Sequence, residues 1–347
     1  MATSPRATIT AMGHHVPPDT LTNEFFSARC DTSDAWIRAR TGIAERHASR
    51  GPTSAMIVPA ARACLARRGL DPGDLDLIIV CTSTPDHLMP STAAIVQAGI
   101  GATRAWGFDL NAACSGFVFG LITAVRFIES CGAARVLVCA ADRMTTITDY
   151  TDRQTSILFG DAAGVALVEA TAAGGVLGCL AEMDGRDAAR IMVPAGGSAR
   201  PATIETLRRR EHAIRLDGGA VFRSAVASMS GTILRLAEDQ RVHVADINWL
   251  VPHQANARIL QAVADRLGVP PERVIMNVDR LGNTGAATVP TCLAEAHLDG
   301  RLQPGHLVGL VSFGAGFTSG AVLMHWTLAA PARGESAAAA RVAATRR

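Results

Sequence analysis

The chain has 347 residues, 48% of them hydrophobic, and a formal net charge of +2. That is enough chain for a large core in one double domain or two domains, and too little charge to build a strong field for nucleic acid. All 33 basic residues are arginine, which excludes a lysine Schiff base, lysine-bound pyridoxal phosphate and a P-loop lysine. Eight cysteines lie scattered in apolar segments without a C-x-x-C pair, which predicts no zinc site or disulfide framework and fits a reducing cytoplasm. The first residues carry no apolar stretch, and no run of about 18 apolar residues stands out, so neither a signal peptide nor a membrane span is expected.

In chain order, Ala7 to Val16 reads as a first strand, and Thr20 to Glu24 as a helix start. Thr32 or Ser33 can cap a short helix that carries Trp36 and Arg40 on one face, four residues apart. Ser54 to Arg68 is an Ala-rich amphipathic helix, and Asp74 to Cys81 leads into a buried strand. A helix through Gln97 follows. Trp106 to Leu110 alternates and is apolar enough for a buried strand. Small residues then bend the chain to Cys114, after which Phe117, Leu121, Ala124, Val125 and Ile128 recur at helical spacing. Cys114 therefore falls at a helix N-terminus, where exposed N–H groups and the dipole favour a thiolate.

Arg135 to Ala140 and Val165 to Val168 read as strands, and composition shifts after Ala170. Gly185 to Arg210 is loop-rich, and a long helix runs from Gly218 to about Gln240. Asp246 to His253 mirrors Asp74 to Cys81, and Phe313-Gly314 with its following strand mirrors Phe159-Gly160 with its own. Both landmarks recur in one order at half-chain separation, which predicts a duplicated α/β unit and puts His253 at the strand end equivalent to Cys81. The halves are drawn at 1–172 and 173–330, with 331–347 an Ala- and Arg-rich tail expected to be disordered.

Cys114, His253 (in Val251-Pro252-His253-Gln254-Ala255-Asn256) and Asn283 (in the Gly-flanked turn Leu281-Gly282-Asn283-Thr284-Gly285) form a candidate constellation. Singly, a buried inert cysteine, a hydrogen-bonded structural histidine and a turn asparagine are the simpler explanations. Together with Ala112-Ala113-Cys114-Ser115-Gly116-Phe117, Thr32 to Ile43, Phe159-Gly160-Asp161 and Phe313 to Phe317, they resemble the Cys-His-Asn site of thiolase-fold condensing enzymes. The resemblance runs from Thr8 to Trp326 and is nearest to the β-ketoacyl-acyl-carrier-protein synthase III family.

That resemblance implies an α/β, thiolase-like fold of two duplicated halves in five layers, α-β-α-β-α, and a homodimer. It implies that Cys114 takes an acyl group from acyl-CoA, with the backbone N–H groups of Cys114 and Ala315 as oxyanion hole. His253 and Asn283 would donate to the thioester oxygen of a malonyl group on acyl carrier protein as CO2 departs, giving a β-ketoacyl thioester. CoA is then a substrate, and no metal or tightly bound cofactor is implied. Trp36 and Arg153 would sandwich the CoA adenine, with Thr32 in contact. Arg40 would meet phosphate, Asn256 and Gly218 the pantetheine, and Arg258 the acidic carrier protein. Met89 stands where many relatives place Phe at the dimer-shared end of the acyl pocket. Gly219 and Ser319 also depart from residues seen in relatives, and are expected to reshape the tunnel. Two alternatives stay open: acyl transfer to an O, N or S nucleophile without decarboxylation, and a papain-like Cys-His-Asn hydrolase.

Overall fold

Residues 6–172 and 174–329 are described by the structure, a computed structural model. The expected disordered tail at 331–347 lies outside the described residues. The first half runs β1 (Arg6–His15), β2 (Asp19–Thr22), α1 (Asn23–Ser27), α2 (Asp34–Thr41), β3 (Glu45–Ala48), α3 (Thr53–Arg68), β4 (Leu77–Cys81) and α4 (Thr92–Ile100). It continues with β5 (Trp106–Leu110), α5 (Gly116–Cys131), β6 (Arg135–Arg143) and β7 (Asp161–Thr171). Then come β8 (Gly175–Met183), β9 (Ile191–Met192), α6 (Ile204–Arg208), β10 (Arg215–Leu216), α7 (Gly218–Asp239), β11 (Trp249–Pro252) and α8 (Ala257–Leu267). The chain closes with α9 (Val278–Leu281), α10 (Thr288–Leu298), β12 (Leu307–Gly314) and β13 (Thr318–His325).

The duplication is visible in strand order. One sheet reads β1-β7-β6-β4-β5, and the other, read from its far edge, β8-β13-β12-β11. Directions repeat as well. β7 is antiparallel to both β1 and β6, as β13 is to β8 and β12, and the β4–β6 pair is parallel, as is β11–β12. The counterpart of β5 has shrunk to one parallel bridge between Leu250 and Val274. By this equivalence β11 matches β4, so His253 does follow the strand end that corresponds to Cys81. Cys114 precedes α5 as Asn283 precedes α10.

Alternation within strands sorts residues into layers. Leu77, Ile79, Val136 and Val138 face inward with Val308, Leu310, Val322 and Met324 of the other sheet, around Phe117, Leu121 and Val125 of α5 and Val289 and Leu293 of α10. Ile78, Val80, Leu137 and Cys139 face outward onto α3 and α4. Leu307, Val311, Ala321 and Leu323 face outward onto α7 and α8. These are the five layers, and both sheets are buried on both faces, which explains their near-continuous aliphatic strands. Ala113–Cys131 is long and apolar enough by composition to cross a membrane, but α5 lies between two sheets and owes its apolarity to that central layer.

Two local expectations are corrected. Residues 19–22 form a strand paired with β3, and the helix begins only at Asn23. β5 is an edge strand, with Trp106 exposed and packed edge-on against Phe127. Period-two alternation specifies a strand but does not say whether a neighbour pairs with each of its edges.

Candidate active site

Between β5 and α5 the chain makes a sharp elbow. The side chain of Asn111 accepts the Ala113 N–H at 3.1 Å, and Ala113 takes a φ of 49°, rare for a residue with a Cβ. One 3-10 turn, Ala113–Ser115, carries Cys114 into α5. The β12–β13 turn is fastened against this elbow: Thr318 Oγ1 donates to Ala112 O at 3.0 Å, and Ser115 Oγ donates to Thr318 O at 3.3 Å. Contact is close enough that a Cβ on Gly314 would sit 2.8 Å from the Cys114 nitrogen and 3.0 Å from Ala112 O. Only glycine fits there. The next residue, Ala315, has an N–H without a protein acceptor among the described residues.

At Cys114 the helix end that favours a thiolate meets an opposing influence. Burial pushes the Cys114 thiol up to about 12, and the negative charge of Asp142 adds to it, while the residue's own N–H works in the other direction. The sequence reveals the helix end that favours a thiolate, not the desolvation that opposes it. Below such a pKa the thiolate fraction grows about tenfold per pH unit. Alkylation of Cys114 by iodoacetamide is therefore expected to rise about tenfold per unit between about pH 6 and pH 9. A plateau near neutrality would contradict this.

His253 follows β11, held by its N–H to Val311 O at 2.8 Å. It is buried, and desolvation alone pushes its imidazole down to about 3, so the ring is neutral at physiological pH. Nδ1 lies 2.8 Å from Thr288 Oγ1 at the start of α10. Nε2 has no protein partner among the described residues and is the ring nitrogen left for chemistry.

Asn283 sits in a turn locked from both sides. Its N–H donates to Leu158 O at 2.8 Å, and its carbonyl accepts from Gly160 N–H at 3.1 Å. Its side-chain Oδ1 accepts the Gly285 N–H at 3.0 Å, which fixes the amide orientation and leaves Nδ2 as a free donor. Beneath the turn lies Asp142, at the end of β6. It accepts from Ser83 N–H at 2.7 Å, Ala286 N–H at 2.8 Å, Thr82 Oγ1 at 3.1 Å and Thr84 Oγ1 at 3.3 Å. Burial raises its carboxyl to about 6 despite these four donors. Asp142 thus ties the end of β4 in one half to the asparagine turn of the other.

A cavity of about 1060 Å³ is lined by Cys114, His253, Asn283 and Ala315, and by Trp36, Arg40, Arg153, Gly218, Gly219, Asn256 and Arg258. Ser33, not Thr32, caps α2, accepting the Trp36 N–H at 3.2 Å. The Arg153 guanidinium stacks on the Trp36 ring at 4.1 Å, so the two planes expected to flank an adenine close on each other here. Thr32 Oγ1 and Arg153 Nε are buried without partners among the described residues. Asn256 Oδ1 is committed as N-cap of α8, accepting Ile259 N–H at 3.0 Å, so only its Nδ2 is left for a ligand. Arg258, the second residue of α8, is exposed.

Three expected residues lie elsewhere. Thr32 is not on the cavity wall. Met89 is 84% exposed, in the loop before α4, outside the cavity of a single chain. Ser319 is buried on β13 with its hydroxyl 3.3 Å from Thr232 Oγ1 of α7, so it packs a helix to a sheet and does not shape the tunnel. Asp142 and Thr288 were not anticipated. The one signal for Asp142 was an acid closing an apolar strand, and Thr288 was an ordinary helix threonine.

The model of 3-oxoacyl-[acyl-carrier-protein] synthase III matches residues 108–185, and that of the C-terminal portion of the same synthases matches 237–326. The chain is 47% identical over 328 residues to the beta-ketoacyl-[acyl-carrier-protein] synthase III of Solibacter usitatus, covering 93% of this chain and 99% of that protein. Among solved structures, the 3-oxoacyl-[acyl-carrier-protein] synthase III of Aquifex aeolicus superposes with a TM-score of 0.85 at 36% identity, covering 92% of this chain and all of that one. The priming β-ketosynthase of the R1128 polyketide pathway superposes with a TM-score of 0.86 at 31% identity, covering 95% and 99%. This chain therefore belongs to the β-ketoacyl-[acyl-carrier-protein] synthase III family.

Proposed function

We propose that the protein transfers an acyl group from acyl-CoA to Cys114 and condenses it with a malonyl thioester on acyl carrier protein. In the first half-reaction Cys114 sulfur attacks the thioester carbon, the oxyanion rests on the N–H groups of Cys114 and Ala315, and the thiol proton leaves with CoA. In the second, the malonyl thioester oxygen meets His253 Nε2 and Asn283 Nδ2. The C–CO2 bond breaks, the electron pair is held as an enolate, and its carbon attacks the Cys114 acyl group. Sulfur returns as thiolate and takes up a proton. The observation that carries this reading is Asn283: the Gly285 N–H occupies its oxygen, so the cavity receives a donor, which suits an enolate and not a water-activating base. CO2 release tests it. One CO2 per β-ketoacyl product supports condensation, and acyl transfer without CO2 would replace it with the non-decarboxylative alternative.

The CoA contacts follow the cavity wall. Trp36 and Arg153 would part to admit the adenine, which would bring Thr32, off the present wall, to its edge, and Arg40 would meet phosphate. Gly218, the first residue of α7, and Asn256 Nδ2 would flank the pantetheine. Arg258, exposed at the rim, would meet the acidic carrier protein. All eight cysteines are unpaired, which suits the reducing cytoplasm.

A second copy of the chain would pair along β5. Exposed Trp106 lies on that edge, and Asp109 of β5 accepts Thr92 N–H at 2.7 Å and Ala93 N–H at 2.8 Å, holding the loop of Leu88 and Met89 beside it. Two exposed apolar side chains there would then reach across to the partner's cavity, which accounts for Met89 being absent from its own. Sedimentation is expected to give a dimer for the native chain and a monomer for Trp106→Glu. A native monomer at micromolar concentration would exclude this arrangement.

A further inference from the structure

A neutral imidazole can donate from only one nitrogen, so the reading of His253 as an enolate donor requires its proton on Nε2. The protein must therefore offer Nδ1 a donor. The only polar atom recorded against Nδ1 among the described residues is the hydroxyl oxygen of Thr288, at 2.8 Å. That hydroxyl has one proton and two acceptors in reach, Nδ1 and Gly285 O, the latter at 3.0 Å. The competition is unequal. Gly285 O already receives the backbone N–H of Thr288 itself, whereas Nδ1 has no other partner. Thr288 is completely buried, and an Nδ1 lone pair left bare beside it would carry the full cost of desolvation.

We infer that Thr288 is a positioning residue that fixes the reactive tautomer: its hydroxyl donates to His253 Nδ1 and thereby holds the proton on Nε2, facing the cavity. This rests on the donor role of His253 proposed above. It has a consequence for the first half-reaction. A ring held as Nε2–H has no lone pair for the cavity and is not the base that removes the Cys114 proton. Acyl loading and decarboxylation therefore separate in their dependence on Thr288. The opposite arrangement, with Nδ1–H donating to Thr288 and the hydroxyl turned to Gly285, would present an acceptor to the enolate and oppose its formation.

The test uses the full-length protein with 15N-labelled histidine and the variants Thr288→Val and Thr288→Ser. Val keeps the volume but removes the donor. The resting native protein is expected to show His253 protonated on Nε2 and bare on Nδ1. Thr288→Val is expected to mix the two tautomers and lower the rate of CO2 release about tenfold, the scale of losing an orienting partner behind a reactive imidazole. Acyl loading of Cys114 should stay within about twofold, because it does not use that proton. Thr288→Ser should restore both spectrum and rate. A native spectrum with the proton on Nδ1 would overturn the proposal, as would a Thr288→Val protein that keeps the native tautomer and rate. If Thr288→Val does not fold, the native and Thr288→Ser spectra still decide. Failure of the donor reading looks different: the native protein would release no CO2 from malonyl thioester whatever its tautomer.

Discussion

Changing Asn283 to Asp is expected to slow CO2 release from malonyl thioester by about 10²–10³-fold, the loss of about 3–4 kcal/mol that follows removal of one well-aimed oxyanion donor. The reason is directional. Oδ1 of Asn283 is held by the Gly285 N–H, so the replacement falls on Nδ2 and turns a donor into an acceptor at the point where enolate charge develops. Asp also sets a second carboxyl into a buried turn that already packs on Asp142, so its charge is opposed by both burial and repulsion. Acyl loading of Cys114 uses the backbone N–H groups of Cys114 and Ala315 and not the Asn283 amide, and should change by no more than about threefold. Following CO2 and the acyl adduct separately distinguishes this from collapse of the turn. Equal loss in both half-reactions would mean that Asn283 holds the site together without acting on the substrate.

Gly285→Ala is the second change with a large expected effect. Gly285 takes a φ of 60°, and a Cβ there would overlap Asp142 Oδ2 and lie 2.9 Å from its Cγ. Asp142 cannot swing aside without abandoning Ser83, Thr82, Thr84 and Ala286. The left-handed backbone costs about 1–2 kcal/mol and the overpacking about 1–3 kcal/mol, so unfolding in urea should show a loss of about 2–5 kcal/mol. Gly69 is the internal control. It has a similar φ of 65°, but a Cβ there would meet nothing within 4 Å, so Gly69→Ala should cost only about 1–2 kcal/mol. Equal costs at both positions would show that the contact with Asp142 yields easily.

How much of this was legible beforehand differs from residue to residue. Cys114, His253 and Asn283 each had a simpler explanation alone and could be picked out because the stretches around them, in that order, resemble those of a known family. The duplicated strand order was foreshadowed by two recurring landmarks, Asp74 to Cys81 with Asp246 to His253, and Phe159-Gly160 with Phe313-Gly314. Thr288 and Asp142 were hidden because their meaning is non-local: Thr288 meets His253 across 35 residues, and Asp142 meets Ala286 across 144. Nothing near either residue in sequence marks such a partner. The opposing influence of burial on the Cys114 thiol is hidden for a related reason. Helix position is written locally, while desolvation is a sum over the whole fold. Met89 differs again: it is exposed and off the cavity of its own chain, and the role expected of it depends on the second copy proposed above.

The central claim is that Cys114 carries the acyl group, and intact-protein mass spectrometry after exposure to a panel of acyl-CoAs tests it most directly. A single acyl adduct is expected, mapped by digestion to Cys114 and absent from Cys114→Ala. Label on another residue, or no label from any acyl-CoA, would contradict the account.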